Sequence, residues 1–142
     1  MRRRFLAFSA LATAALVSDG AAGAENRIDI WRGADTMVHG SCVPSLKAVN
    51  NTSVVIDYLE IRLAFTLRSG ETRILEFRSR YREGIERPIS RGMTADLTLQ
   101  LDLTKPLGAS CTDIVAVRVA GTVCEAAAKP CPGTVALHAS PR

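Results

Sequence analysis

Leu59-Glu60-Ile61-Arg62-Leu63-Ala64-Phe65-Thr66-Leu67, then Arg68-Ser69-Gly70, then Leu75, Phe77 and Tyr81 set among Glu76, Arg78, Arg80 and Arg82, is the stretch whose reading decides the fold. Large apolar residues hold every odd position from 59 to 67, with charged or small residues between them. A period of two gives a strand one buried and one wet face. With Ser69-Gly70 as the turn, the pattern predicts an antiparallel hairpin laid on a core. On its wet face, Arg62 and Arg68 are expected opposite Arg78, Arg80 and Arg82.

The same alternation spreads along the chain. Met93 to Leu103 carries Met93, Ala95, Leu97, Leu99, Leu101 and Leu103 on odd positions and Thr94, Asp96, Thr98, Gln100 and Asp102 on even ones. A helix would wet several of those leucines, so a strand is expected. Ile114 to Val123 is rich in β-branched residues, with Val115, Val117, Val119 and Val123 expected on one face. Short strands are read at Ile28-Asp29-Ile30-Trp31, from Cys42 to Val49 and through Val135 and Leu137. Val54, Val55 and Ile56 break the phase that begins at Leu59, which places a β-bulge near Asp57-Tyr58. Glu125 to Ala128 has room for one helical turn before Pro130 and Pro132 end it. Asn50-Asn51-Thr52-Ser53 reads as a turn and contains two overlapping glycosylation acceptors.

Seven strands, turns at regular intervals and no sustained helix predict an all-β chain. The expected architecture is an immunoglobulin-like or fibronectin III-like β-sandwich, with a small β-barrel as the alternative. The antibody pattern of core cysteines flanking a tryptophan is absent, so the expectation concerns architecture alone.

The chain's beginning predicts an address. Arg2-Arg3-Arg4 precedes the apolar run Phe5 to Val17, and Ala22-Gly23-Ala24 offers small residues for cleavage. That is the layout of a secretory signal peptide. Thirteen residues rise only ~20 Å as a helix, short of a ~30 Å bilayer core. Residues 1–24 are therefore expected to be removed, leaving residues 25–142 as one domain in the periplasm or the medium. Cleavage takes three arginines and one aspartate, lowering the net charge from +4 to +2. So small a surplus gives no case for nucleic acid. Nothing in the mature part is apolar enough to insert into a membrane.

Cys42, Cys111, Cys124 and Cys131 all lie in the mature part, and four cysteines in a small exported domain predict two disulfides. Gaps of 69, 13 and 7 lack the close pairs of a zinc site. Cys111 and Cys124 bracket one strand, ~40 Å end to end if extended, which disfavours their mutual bond. Cys42–Cys111 with Cys124–Cys131 is the favoured pairing; Cys42–Cys124 with Cys111–Cys131 stays open.

Signs of chemistry are few. His39 and His138 have no nucleophile or acid at a spacing that hydrolases use, and Glu60, Glu76, Asp96 and Asp102 stand singly on wet faces. Phosphate loops are missing, and no cofactor or metal is expected. The reading is a non-enzymatic binding module whose candidate face is Arg62, Arg68, Arg78, Arg80 and Arg82, since arginine is favoured in recognition. Its partner would be a protein or glycan. The alternative is a small-molecule or glycan carrier that uses Trp31 and loops at one end of the sandwich.

Arg27-Ile28-Asp29-Ile30-Trp31, followed by a glycine and then by Gly40-Ser41-Cys42, resembles the opening of the interleukin receptor mimic protein A family. Those are small exported bacterial proteins with a fibronectin III-like fold. The resemblance covers about sixteen residues together with size and strand pattern. It implies a secreted binding module, with a homodimer among the expected partnerships, and matches no binding residue.

Overall fold

A computed structural model of the chain describes residues 26–80, 86–99 and 107–139. The expected signal peptide, Tyr81, Arg82 and the end of the Met93–Leu103 stretch lie outside those residues. In chain order the strands are β1 (Arg27–Arg32), β2 (Thr36–Val38), β3 (Ser41–Val43), β4 (Leu46–Asn51), β5 (Tyr58–Leu67), β6 (Thr72–Arg78), β7 (Thr94–Leu99), β8 (Ile114–Ala126), β9 (Lys129–Pro130) and β10 (Thr134–His138). A single 3₁₀ turn, Cys111–Asp113, precedes β8. Seven of the described strands have five or more residues, in keeping with the expected number.

The strands pair in the order β10-β1-β4-β7-β6-β5-β8-β9, with β2-β3 as a separate small hairpin. β7 belongs to both halves, pairing with β4 through Thr94–Leu97 and with β6 through residues 98 and 99. The two halves fold over one another at β7 as an all-β sandwich. No ladder joins β10 to β8 among the described residues, so the run does not close into the alternative barrel.

The inner side of β5 is the heart of the core. Leu59, Ile61, Leu63 and Phe65 are fully buried, and Leu67 nearly so. They meet Ile28 and Ile30 of β1, Leu46 and Ala48 of β4, Phe77 of β6 and Leu97 of β7. Each such side chain contributes roughly 1.5–3 kcal/mol on burial, so a slip of one residue in β5 would forfeit several contributions at once. Arg32 ends β1 by laying its guanidinium over the Phe65 ring, 5.3 Å from the centroid, where Asp35 pairs with it.

Both disulfides form in the favoured pairing. Cys42–Cys111 joins β3 to the turn before β8, and Cys124–Cys131 closes the β8–β9 hairpin. In the loop-entropy model the longer closure contributes about 4 kcal/mol.

Five local expectations are corrected. Residues 52–57 form a bend with one isolated bridge, Ile56 to Ile89, so the phase break before Leu59 marks the absence of strand and not a bulge. The bulges lie in β8, where the pairing with β5 skips one residue between Val119 and Gly121 and another between Ile114 and Ala116. Each skip reverses the side-chain phase. Val117 and Val119 consequently oppose Phe65 and Leu63 on the inner side, Val123 opposes Glu60 on the outer side, and Val115 is 59% exposed. Met93 precedes β7 and is exposed as well.

Asn50 is strand and not turn. It is almost fully buried, donating from Nδ2 to the Val54 and Ile89 carbonyls and accepting at Oδ1 from the Thr52 backbone and hydroxyl. All four hydrogen-bonding positions of its side chain are filled, which fastens the 52–56 bend and the 86–92 segment to the end of β4. Asn51 donates to Asp29, so both sequon side chains are engaged.

The expected helical turn after Glu125 is instead a two-residue hairpin. Ala127 and Ala128 take φ of 48° and 59°, and Glu125–Pro130 and Ala126–Lys129 pair across them. Two left-handed residues give the turn whose twist suits a hairpin. Alanine is a strained choice there, held by the adjacent disulfide and by Asp57, whose carboxylate accepts from the Ala127 N–H. Replacing the pair by Ala127→Asn with Ala128→Gly is expected to raise stability by about 1–2 kcal/mol in urea melts of the oxidised protein.

Candidate binding face

Burying the odd side of β5 turns its even side outward, beside the even side of β6 and the outer side of β8. Four rows cross this face: Arg78–Glu60–Val123, Glu76–Arg62–Gly121, Ile74–Ala64–Arg118 and Thr72–Thr66–Ala116. The register corrects the expected opposition of arginines. Arg78 stands against Glu60 and Arg62 against Glu76, so opposite charges face one another across β5 and β6.

The charges do not pair off evenly. Arg78 donates from Nε to Glu76 Oε1 at 2.6 Å, bonds the same oxygen through Nη2, and lies 3.4 Å from Glu60 Oε2. Tyr58 donates its hydroxyl to that Glu60 oxygen at 2.7 Å. One guanidinium therefore holds both carboxylates of the face. Burial works against the charge of Arg78, but the hydrogen bond to Glu76 and the neighbouring acidic groups outweigh it and hold its pKa above the ordinary value.

Arg62 is left without an acid. It leans toward β8 and lies flat over Gly121, where an added Cβ would come within 2.6 Å of Nη2. Arg118, in the next row, is exposed, and neither it nor Arg62 makes an ion pair among the described residues. Between them lies Ala64, fully buried beneath its larger neighbours, and across from Ala64 stands Ile74, 60% exposed. The outer side of β5 is thus drier than the alternation implied, since Tyr58, Glu60 and Ala64 are all buried.

Of the other expected arginines, Arg80 covers one end of this face and Arg68 is placed away from it. Arg80 donates to the Asp57 carbonyl and stacks over the Tyr58 ring, 5.5 Å from its centroid. Arg68 sits at the hairpin turn, donating to the Thr112 carbonyl and lining a groove at the end of the sandwich with Glu71, Arg73 and Asp113. Arg82 lies outside the described residues. Arg62, Arg78 and Arg80 are thus the sequence-selected arginines that the described residues bring to this face, and Arg118 and Ile74 are additions. Ile74 carried a signal, an apolar residue in the wet phase of β6. Arg118 carried its outward facing in the alternation with Val117 and Val119, but its place beside Arg62 depends on the register of β8 against β5.

Trp31 and His138 occupy the opposite sheet. On β1 the residues Arg27, Asp29 and Trp31 face outward, and His138 of β10 stands beside Trp31. The two rings stack at 4.3 Å. His138 Nε2 is 2.5 Å from Asp29 Oδ1, Arg27 Nε is 2.7 Å from the same oxygen, and Asn51 donates to Oδ2. His138 is thus joined to a carboxylate, contrary to its isolation in the sequence. Asp29 is held by hydrogen bonds with His138 and Asn51 and by an ion pair with Arg27, and the cluster fastens the C-terminal strand to β1. His39 sits exposed in the β2–β3 turn with φ of 49°. Trp31 lines none of the described grooves, including the one of about 490 Å³ between Arg32, Asp35, β8 and β10. Among the described residues one group of metal-type donors occurs, Asp35 with Cys42 and Cys111. Its sulfurs are joined in a disulfide, so they offer no thiolate.

No protein-family model matches the chain, and no curated protein or solved structure is significantly similar to it. The site is therefore read from its own residues. Among the described residues no helix is long and apolar enough to cross a membrane.

Burial raises the pKa of Asp29, but the hydrogen bonds from His138, Asn51 and Arg27 more than offset it and hold the carboxyl below its ordinary 3.8. The folded state then takes up this proton less readily than the unfolded chain. The resulting stability is fully present above about pH 4 and is lost as pH falls through the folded value. Asp29→Asn is expected to cost about 2 kcal/mol at neutral pH. In thermal melts its deficit relative to the parent protein should shrink below about pH 4.

Proposed function

We propose that this protein is an exported, non-enzymatic binding module that engages a macromolecule through the outer face of β6, β5 and β8. The observation that carries this reading is the unequal pairing on that face. Arg78 takes both carboxylates, so among the described residues Arg62 and Arg118 stand without an ion pair on the same face as the exposed Ile74. A face that only kept the protein soluble would distribute its ion pairs more evenly, and Ile74 on β6 adds an exposed apolar contact beside the two arginines. Export is supported by the two disulfides, which persist in oxidising compartments, and by the signal-peptide features of residues 1–24. The non-enzymatic reading is supported by the use of His138 and Asp29 as a strand clasp. The resemblance to the interleukin receptor mimic protein A family points the same way.

A photo-crosslinking residue at position 66 or 74, in the chain expressed by the cell that exports it, is expected to yield a discrete adduct. The same residue at position 47 or 96, on the outer side of the other sheet, should not. The mature chain should be recovered outside the cytoplasm with Glu25 at its N-terminus. Equal adducts from both sheets, or none from 66 and 74, would remove this face from consideration.

A further inference from the structure

We infer that the occupant of this face is an acidic protein surface in which carboxylates flank an apolar side chain. The inference rests on the reading above and specifies its chemistry.

The spacing comes first. Arg62 pairs with Gly121 and Arg118 with Ala64, so the two arginines are diagonal neighbours on adjacent strands. Such neighbours are roughly 7–8 Å apart, close enough for like charges to oppose one another. An incoming anion relieves that repulsion, and guanidinium groups match carboxylate geometry through paired N–H donors.

The floor comes second. Gly121, Ala64 and Ala116 place no bulk between the guanidinium groups and an approaching chain. Ile74 completes the row Ile74–Ala64–Arg118 and offers an apolar contact two strands away from Arg118. An apolar side chain beside arginines is a composition found in protein contacts.

Other occupants fit less well. A glycan would be expected to use an exposed ring, and the aromatic residue of this face, Tyr58, is buried beneath Arg80. A nucleic-acid backbone needs a continuous basic track, whereas Glu60 and Glu76 occupy the adjoining rows.

The test uses the mature, oxidised protein with amide resonances assigned. Three probes are titrated: a short peptide alternating glutamate and leucine, the same peptide with lysine for glutamate, and a heparin-derived hexasaccharide. The glutamate peptide is expected to bind and to shift residues 62, 64, 74, 118 and 121. Binding should weaken about tenfold or more in Arg62→Glu with Arg118→Glu, and in Ile74→Asp. The milder Arg62→Gln with Arg118→Gln guards against loss of fold, and Arg87→Glu with Arg91→Glu, an equal charge change in a loop, should leave binding within about twofold.

Hexasaccharide binding as tight as the peptide's, and indifferent to Ile74→Asp, would overturn the protein partner. Equal binding of the lysine peptide would overturn the acidic one. If no probe shifts the face while the residue-74 crosslinker still gives its adduct, this inference fails and the binding-face reading stands. Loss of both removes both.

Discussion

The structure depends on the complete burial of one side of β5. Five consecutive odd residues, Leu59 to Leu67, lie against β1, β4 and Phe77, and a one-residue slip would expose all of them. That constraint leaves the even side no choice of direction. Glu60, Arg62 and Ala64 point outward because their neighbours must point inward. The candidate face is thus a consequence of the core, presented on the strand least free to move, between β6 and β8.

The partners of β5 differ in how they meet it. β6 keeps register without interruption from Glu60–Arg78 to Thr66–Thr72. β8 is longer and bulged twice, which bends the strand and re-aims its side chains. Between the bulges Val117 and Val119 reach the inner side and Arg118 stands outside. Without the skip beyond Val119, the residues on either side of Gly121 would exchange faces and the floor beneath Arg62 would be lost. The unequal ion pairing follows from this arrangement. Arg78 has two carboxylates within reach, while Arg62 finds a glycine on one side and an already occupied glutamate on the other.

The rest of the fold holds its ends. Cys42–Cys111 and Cys124–Cys131 tie the turns that flank β8, and Asn50 fastens the bend between β4 and β5. β10 pairs in parallel with β1 and is clasped there by His138, Asp29 and Trp31. These polar contacts act far from the β6–β5–β8 face. Through them the tryptophan and the acid–histidine pair join the two ends of the chain.

Much of this was legible in the amino-acid sequence. Alternation located the central hairpin and its buried residues, because side-chain direction in a strand depends only on position parity. Cysteine number and spacing favoured the pairing that forms, because Cys124 and Cys131 bracket a short loop that closes easily, while the strand between Cys111 and Cys124 disfavoured only their mutual bond. Arg62 and Arg78 were marked as neighbours on one surface by the same parity. Tertiary structure alone decided which arginines are free, because an ion pair depends on register between strands and on bulges that no periodicity encodes. It alone brought His138 to Asp29, 109 residues away, since parallel pairing of the chain's two ends leaves no local trace. And it alone set Arg118 beside Arg62, because the register of β8 against β5, shifted by two skipped residues, leaves no mark in the periodicity of either strand.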